Sequence, residues 1–128
     1  MKILIIVGIL FFTTMTCSYN VERSRRIMEY IHICQQRLDR RTLFRNLFLC
    51  IILNDGQVLT KGQFNVNATS RFIKDIIADK KSVRKARALF NKCYKNEQLE
   101  NTLSPNNRTV NIAICTTPII HFFSLLLQ

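Results

Sequence analysis

Five cysteines, at positions 17, 34, 50, 93 and 115, constrain this chain more than any other feature of it. Cys17 stands at the exit of a stretch with the anatomy of an export signal. Met1 and Lys2 are followed by the apolar run ILIIVGILFF and then by the small and polar residues TTMTCSYN. The run is too short to span a bilayer as a helix. Residues 1–18 are therefore expected to be a signal peptide, cut after Thr16 or, preferably, Ser18, with a short membrane anchor as the alternative. Cleavage after Ser18 takes Cys17 out of the count and leaves Cys34, Cys50, Cys93 and Cys115. An even number in an exported chain predicts two disulfides, but four cysteines allow three connectivities and spacing alone does not choose among them. The remaining chain of about 110 residues is one domain by size. Its core is modest, so two cross-links contribute materially to its stability.

The hydrophobic period is that of helices. In VERSRRIMEYIHICQQRL, residues 21–38, Ile27, Ile31, Cys34 and Leu38 form one apolar stripe. TLFRNLFLCIIL, residues 42–53, is apolar on nearly every side and is expected to be central, with Thr42 as its N-cap and an Asn-Asp-Gly turn at its end. A third helix lies in VNATSRFIKDIIADK, capped by Asn65 or Asn67, with Phe72, Ile73, Ile76 and Ile77 on its buried face. KKSVRKARALFNKC repeats the pattern through Val83, Ala86, Phe90 and Cys93, with Ser82 as the expected cap. SPNNRTVNIAIC has Pro105 in its first turn after Ser104 and points Ala113, Ile114 and Cys115 inward. The chain closes on TTPIIHFFSLLLQ. No strand period runs for more than a few residues. The prediction is an all-α, compact bundle of about five to six helices held by two disulfides. If the first two stripes meet as an antiparallel hairpin turning near Arg40, Cys34 and Cys50 lie within about one helical turn of each other. Pairing each cysteine with its sequence neighbour would close loops of roughly 15 to 25 residues, each worth ~3 kcal/mol.

The charge is strongly basic, +11 over the whole chain, and about +10 once Lys2 leaves with the signal. It is spread through ERSRR, RLDRR and KKSVRKAR and interleaved with apolar residues. Such a surface attracts lipid headgroups, glycans and acidic partners. With no Trp and few exposed aromatics to stack bases, no specific nucleic acid is expected. The cysteines and histidines show neither CxxC nor zinc-type spacing, so neither metal nor cofactor is expected. Two histidines lie in the chain, but no catalytic motif surrounds His32 or His121, and the protein is not expected to be an enzyme. A C-terminal anchor over residues 112–127 is disfavoured by the shortness of the run and by Pro118 and His121. Asn67-Ala68-Thr69 and Asn107-Arg108-Thr109 are glycosylation sequons.

The helix ending CIILNDGQV, the spacing from Cys50 to Cys93, and the closing cysteine followed by a proline and an aromatic tail resemble the insect odorant- and pheromone-binding proteins. Those are small, secreted, all-helical proteins whose six cysteines pair first with third, second with fifth and fourth with sixth around an apolar cavity. The places of the second and fifth cysteines fall here on Asn46 and Asn106, so that one whole bridge is missing, as in the four-cysteine subset. The resemblance implies the pairs Cys34–Cys50 and Cys93–Cys115, with residues 19–128 forming the helical domain. It also implies a secreted, extracellular carrier, monomeric or weakly dimeric, that delivers a small hydrophobic ligand, with a membrane receptor as a further partner. The cavity would be lined by Phe44, Leu47, Phe48, Ile51, Phe72, Ile76, Phe90, Phe122 and Phe123, and closed by the apolar tail. Protonation of His121 in that tail would loosen it in acid.

The alternative reading is a secreted cationic effector of venom, salivary or immune type that binds anionic membranes or glycans. DIIADKKSVRKARALFNKC, basic on one side and apolar on the other, would carry that activity.

Overall fold

A computed structural model describes residues 19–99 and 104–123, without the side chain of Phe44. The expected signal peptide, its cleavage points and Cys17 lie outside the described residues, as does the end of the apolar tail. Five helices dominate, in the order α1 (Val21–Arg37), α2 (Leu43–Asp55), α3 (Val66–Ile76), α4 (Lys80–Leu99) and α5 (Pro105–Thr116). A 3-10 turn, Thr117–Phe122, follows α5.

Polar side chains set where the helices begin. Asn20 Oδ1 accepts from the Arg23 amide at 3.0 Å and opens α1. Asn65 caps α3 through the Ala68 amide, also at 3.0 Å. Ser104 caps α5 with Pro105 in the first turn, as the sequence predicts. The cap of α4 differs from expectation. Asp79 receives both the Ser82 amide at 3.1 Å and the Ser82 hydroxyl at 2.8 Å, so the helix starts at Lys80, and Ser82 is a donor within its first turn. These hydrogen bonds from Ser82 hold the Asp79 carboxyl below the ordinary carboxylate range. Thr42 also departs from expectation. It occupies the N-cap position of α2 without a capping side-chain bond, and its hydroxyl instead donates to Asp39 O at 3.2 Å. Gly56 ends α2 at φ 73°, a left-handed conformation that favours glycine.

The sequence missed a two-stranded hairpin, because its strands are only two residues each. Leu59–Thr60 (β1) pairs antiparallel with Gln63–Phe64 (β2). Lys61 and Gly62 at its tip both have positive φ, 54° and 78°, as a tight two-residue hairpin turn requires. The turn aims Phe64 into the core. Thr109 of α5 ties the hairpin down: its hydroxyl lies 2.6 Å from Gly62 O and 3.1 Å from Pro105 O. Thr109→Val should cost about 1–2 kcal/mol and speed amide exchange in residues 58–64. An unchanged melting curve with unchanged exchange would show that the hairpin docks by other means.

The two disulfides pair sequence neighbours, Cys34–Cys50 and Cys93–Cys115, with Cα atoms 6.0 and 5.8 Å apart. They join α1 to α2 and α4 to α5. Cys34 and Cys93 are buried, but Cys115 is exposed and Cys50 only partly covered, so each bridge runs from the core to the surface. α5 accordingly buries Thr109, Ile112, Ala113 and Thr116 rather than the expected Ala113, Ile114 and Cys115. Nor is α2 covered all round. Leu47, Phe48, Ile51 and Ile52 are buried, whereas Leu53 is 60% exposed. Leu53 thus stands on an outer face at the molecular surface.

Candidate functional surfaces

Apart from Phe44, whose side chain is outside the described residues, the residues expected to line a ligand cavity come together, chiefly as core. Phe48, Phe72, Phe90, Ile51 and Ile76 are buried. Phe48 faces Phe64 and Phe72 at ring-centre distances of 6.4 and 6.3 Å. Phe64 meets Phe90 at 5.4 Å, and Phe72 meets Phe123 at 6.0 Å. Such pairs hold a core at its offset and edge-on contacts. Phe122 is half-buried and Phe123 buried, so the 3-10 turn does lay the start of the tail against the core.

Among these residues Leu47 also lines an open groove of about 450 Å³, with Arg45, Ile114, Thr117, Pro118, Ile120 and His121. His121 is exposed. An acid-driven release of the tail required this side chain in an apolar site, and its exposure removes that premise.

At the opposite end of the core lies a charged cluster that the sequence reading passed over. Arg23 is only 3% exposed. Its guanidinium reaches Asp55, the last residue of α2, through Nη2 at 2.8 Å and Nε at 3.4 Å. Through Nη1 it also reaches Asp75, one residue before the end of α3, at 2.8 Å. The Phe72 ring lies beneath it, 5.0 Å from its carbon centre. Burial disfavours the charge on Arg23, but hydrogen bonds and attraction from Asp55 and Asp75 outweigh it and raise its pKa above the ordinary value. Carboxylates are disfavoured at helix C-termini by the helix dipole; one guanidinium neutralises two of them and joins three helices. A signal for this was present: Arg23 stands four residues before Ile27 and so continues the apolar stripe of α1.

The outer surface is cationic. Every described lysine and most described arginines are exposed. Among the described residues, Arg25–Glu22 is the only ion pair between exposed side chains. No group of His, Cys, Asp and Glu among them could hold a metal ion, and no described helix is long and apolar enough to cross a membrane.

Helices joined by two disulfides under a basic surface define a class, the small cross-linked proteins made for oxidising surroundings. Within it, the model of the ant venom allergen Sol i 2 family matches residues 33–120, and the chain belongs to that family. Venom allergens of this family are secreted, in keeping with an extracellular protein. The match overturns the resemblance to insect odorant- and pheromone-binding proteins. The marks behind that resemblance were cysteine spacing, a glycine turn after a helix and an apolar tail. They follow from bridging neighbouring helices in a small domain, and so do not separate one family of such domains from another. No curated protein and no solved structure matches the chain.

Proposed function

We propose that this protein is a secreted, cationic venom effector that acts at anionic surfaces, membranes or glycans, of its target. The observation that carries the reading is the surface charge: among the described residues, exposed lysines and arginines that, Arg25 apart, make no ion pair, on a domain whose family is one of venom proteins. Unpaired exposed cations raise the local concentration of the protein at an anionic surface, and salt screens the attraction.

The test is binding of the secreted protein to phosphatidylglycerol-containing vesicles and to immobilised heparin. Affinity for at least one of them should fall about tenfold or more between dilute and molar salt. Binding to neither, even in dilute salt, refutes the proposal.

A second reading, carriage of a small hydrophobic molecule, is favoured by one observation, the apolar groove formed by Leu47, Ile114, Pro118 and Ile120. It predicts that a fluorescent apolar probe binds with an affinity insensitive to salt and is lost in Leu47→Asp.

A further inference from the structure

Where α3 gives way to α4, the chain forms an open groove of about 360 Å³ lined by Lys74, Ile77, Ala78, Lys80, Val83, Arg84 and Arg87. The floor is apolar: Ile77 is buried and Val83 half-buried. Around it stand four cations and no carboxylate. Of the two acids nearest in sequence, Asp75 is paired with Arg23 at 2.8 Å; Asp79 keeps its charge as the cap of α4, bonded by Ser82, so the cations outnumber it four to one. Lys74, Lys80 and Arg84 are exposed. Arg87 donates one bond, from Nη2 to Ser70 O at 3.3 Å, while its buried Nε–H has no partner among the described residues. A small turn of the guanidinium would offer that donor to an anion.

We infer that this groove is a binding site for the headgroup of an anionic phospholipid. The inference rests on the surface-acting reading above and locates it. The cations neutralise the phosphate, and the floor of Ile77 and Val83 takes the first methylenes behind it. The apolar floor decides between lipid and sulfated glycan, because a glycan carries its charge on a polar chain that gains nothing from Val83.

The test compares two doubly reversed proteins of equal net charge. Lys80→Glu/Arg84→Glu changes exposed residues in the first turns of α4, where acidic side chains suit the helix. Arg40→Glu/Arg41→Glu changes exposed residues beyond the far end of α1. The near end of α1 is bonded to Asp75 through the Asn20 amide at 2.8 Å, and a helix of that length spans about 25 Å. On vesicles of phosphatidylcholine and phosphatidylglycerol at physiological salt, the groove variant should lose at least about 30-fold in affinity and the distal variant less than about 5-fold. Equal losses would overturn the site while leaving the surface-acting reading in place; failure of the unaltered protein to bind vesicles or heparin would remove that reading itself. Val83→Gln, which leaves the charge unchanged, should weaken vesicle binding by about 3-fold or more and leave heparin binding alone. If vesicle binding is unaffected, or falls with heparin binding by the same factor, the groove is a general anion patch and the lipid assignment is wrong.

Discussion

Arg23→Met should destabilise the domain by about 3–5 kcal/mol, because removing one member of a buried ionic cluster strands the others. Asp55 has a side chain only 3% exposed, and Asp75 is 18% exposed. Without the guanidinium, both carboxylates must stay charged with little water or be neutralised by protons. A methionine of similar length fills the volume and keeps contact with Phe72, so the loss reports charge rather than a cavity. At roughly 4 °C per kcal/mol for a domain of this size, melting should fall by more than about 10 °C. Adding Asp55→Asn and Asp75→Asn to Arg23→Met should recover part of the loss, since the stranded charges are gone while Asp55's replacement still offers an oxygen to the Gln57 amide. Arg23→Lys should fall between the two, because an ammonium cannot reproduce the forked contact with Asp55. If Arg23→Met melts within about 1 kcal/mol of the unaltered protein, the cluster does not hold the three helices together.

The second large effect concerns the bridges. Cys34–Cys50 and Cys93–Cys115 span 16 and 22 residues, so each should contribute about 3 kcal/mol by restricting the unfolded chain. Together they amount to a large share of the about 5–15 kcal/mol that keeps a domain folded. Cys34→Ser/Cys50→Ser and Cys93→Ser/Cys115→Ser should each lower stability by about 2–5 kcal/mol, and full reduction should leave the helical signal lost or nearly so at body temperature. On chain entropy alone the second pair, which closes the longer loop, should cost slightly more than the first. Loss of Cys34–Cys50 loosens α1 against α2, and the Arg23 cluster bridges the same two helices, so changes at the two places should couple. A reduced protein that melts like the oxidised one would mean the core suffices without cross-links.

Much of this architecture was legible along the chain. The stripes at Ile27, Ile31 and Cys34, at Phe72, Ile73 and Ile76, and at Ala86, Phe90 and Cys93 are inward faces in the structure. Helical spacing repeats over enough residues to outvote local noise. Legibility failed where a choice depended on a partner distant in sequence. The cap of α4 was a local ambiguity instead: Ser82 and Asp79 are both good caps in isolation, and it is Asp79 that accepts from Ser82. Cys115 looked inward because it follows the apolar run Ile112-Ala113-Ile114, but the bridge to Cys93 is made from the surface. Arg23 stood in a basic run that read as solvated, and only the approach of two helix ends made its burial tolerable.

The candidate surfaces divide in the same way. That the exposed chemistry would be cationic followed from composition, since a core of this size cannot bury so many lysines and arginines. The family belonged to neither source of inference: cysteine spacing common to many small helical proteins pointed to the wrong one, and the match over residues 33–120 corrected it. What the amino-acid order determined unaided was local, namely which segments coil and which face of each is apolar, because a helix satisfies its own backbone. What the tertiary structure alone decided was which charges would be shielded and which left free. Asp75 lies beside Lys74 of the basic groove in sequence, yet Arg23, 52 residues away, pairs with it, and an electrostatic field depends on distances in space rather than on order along the chain.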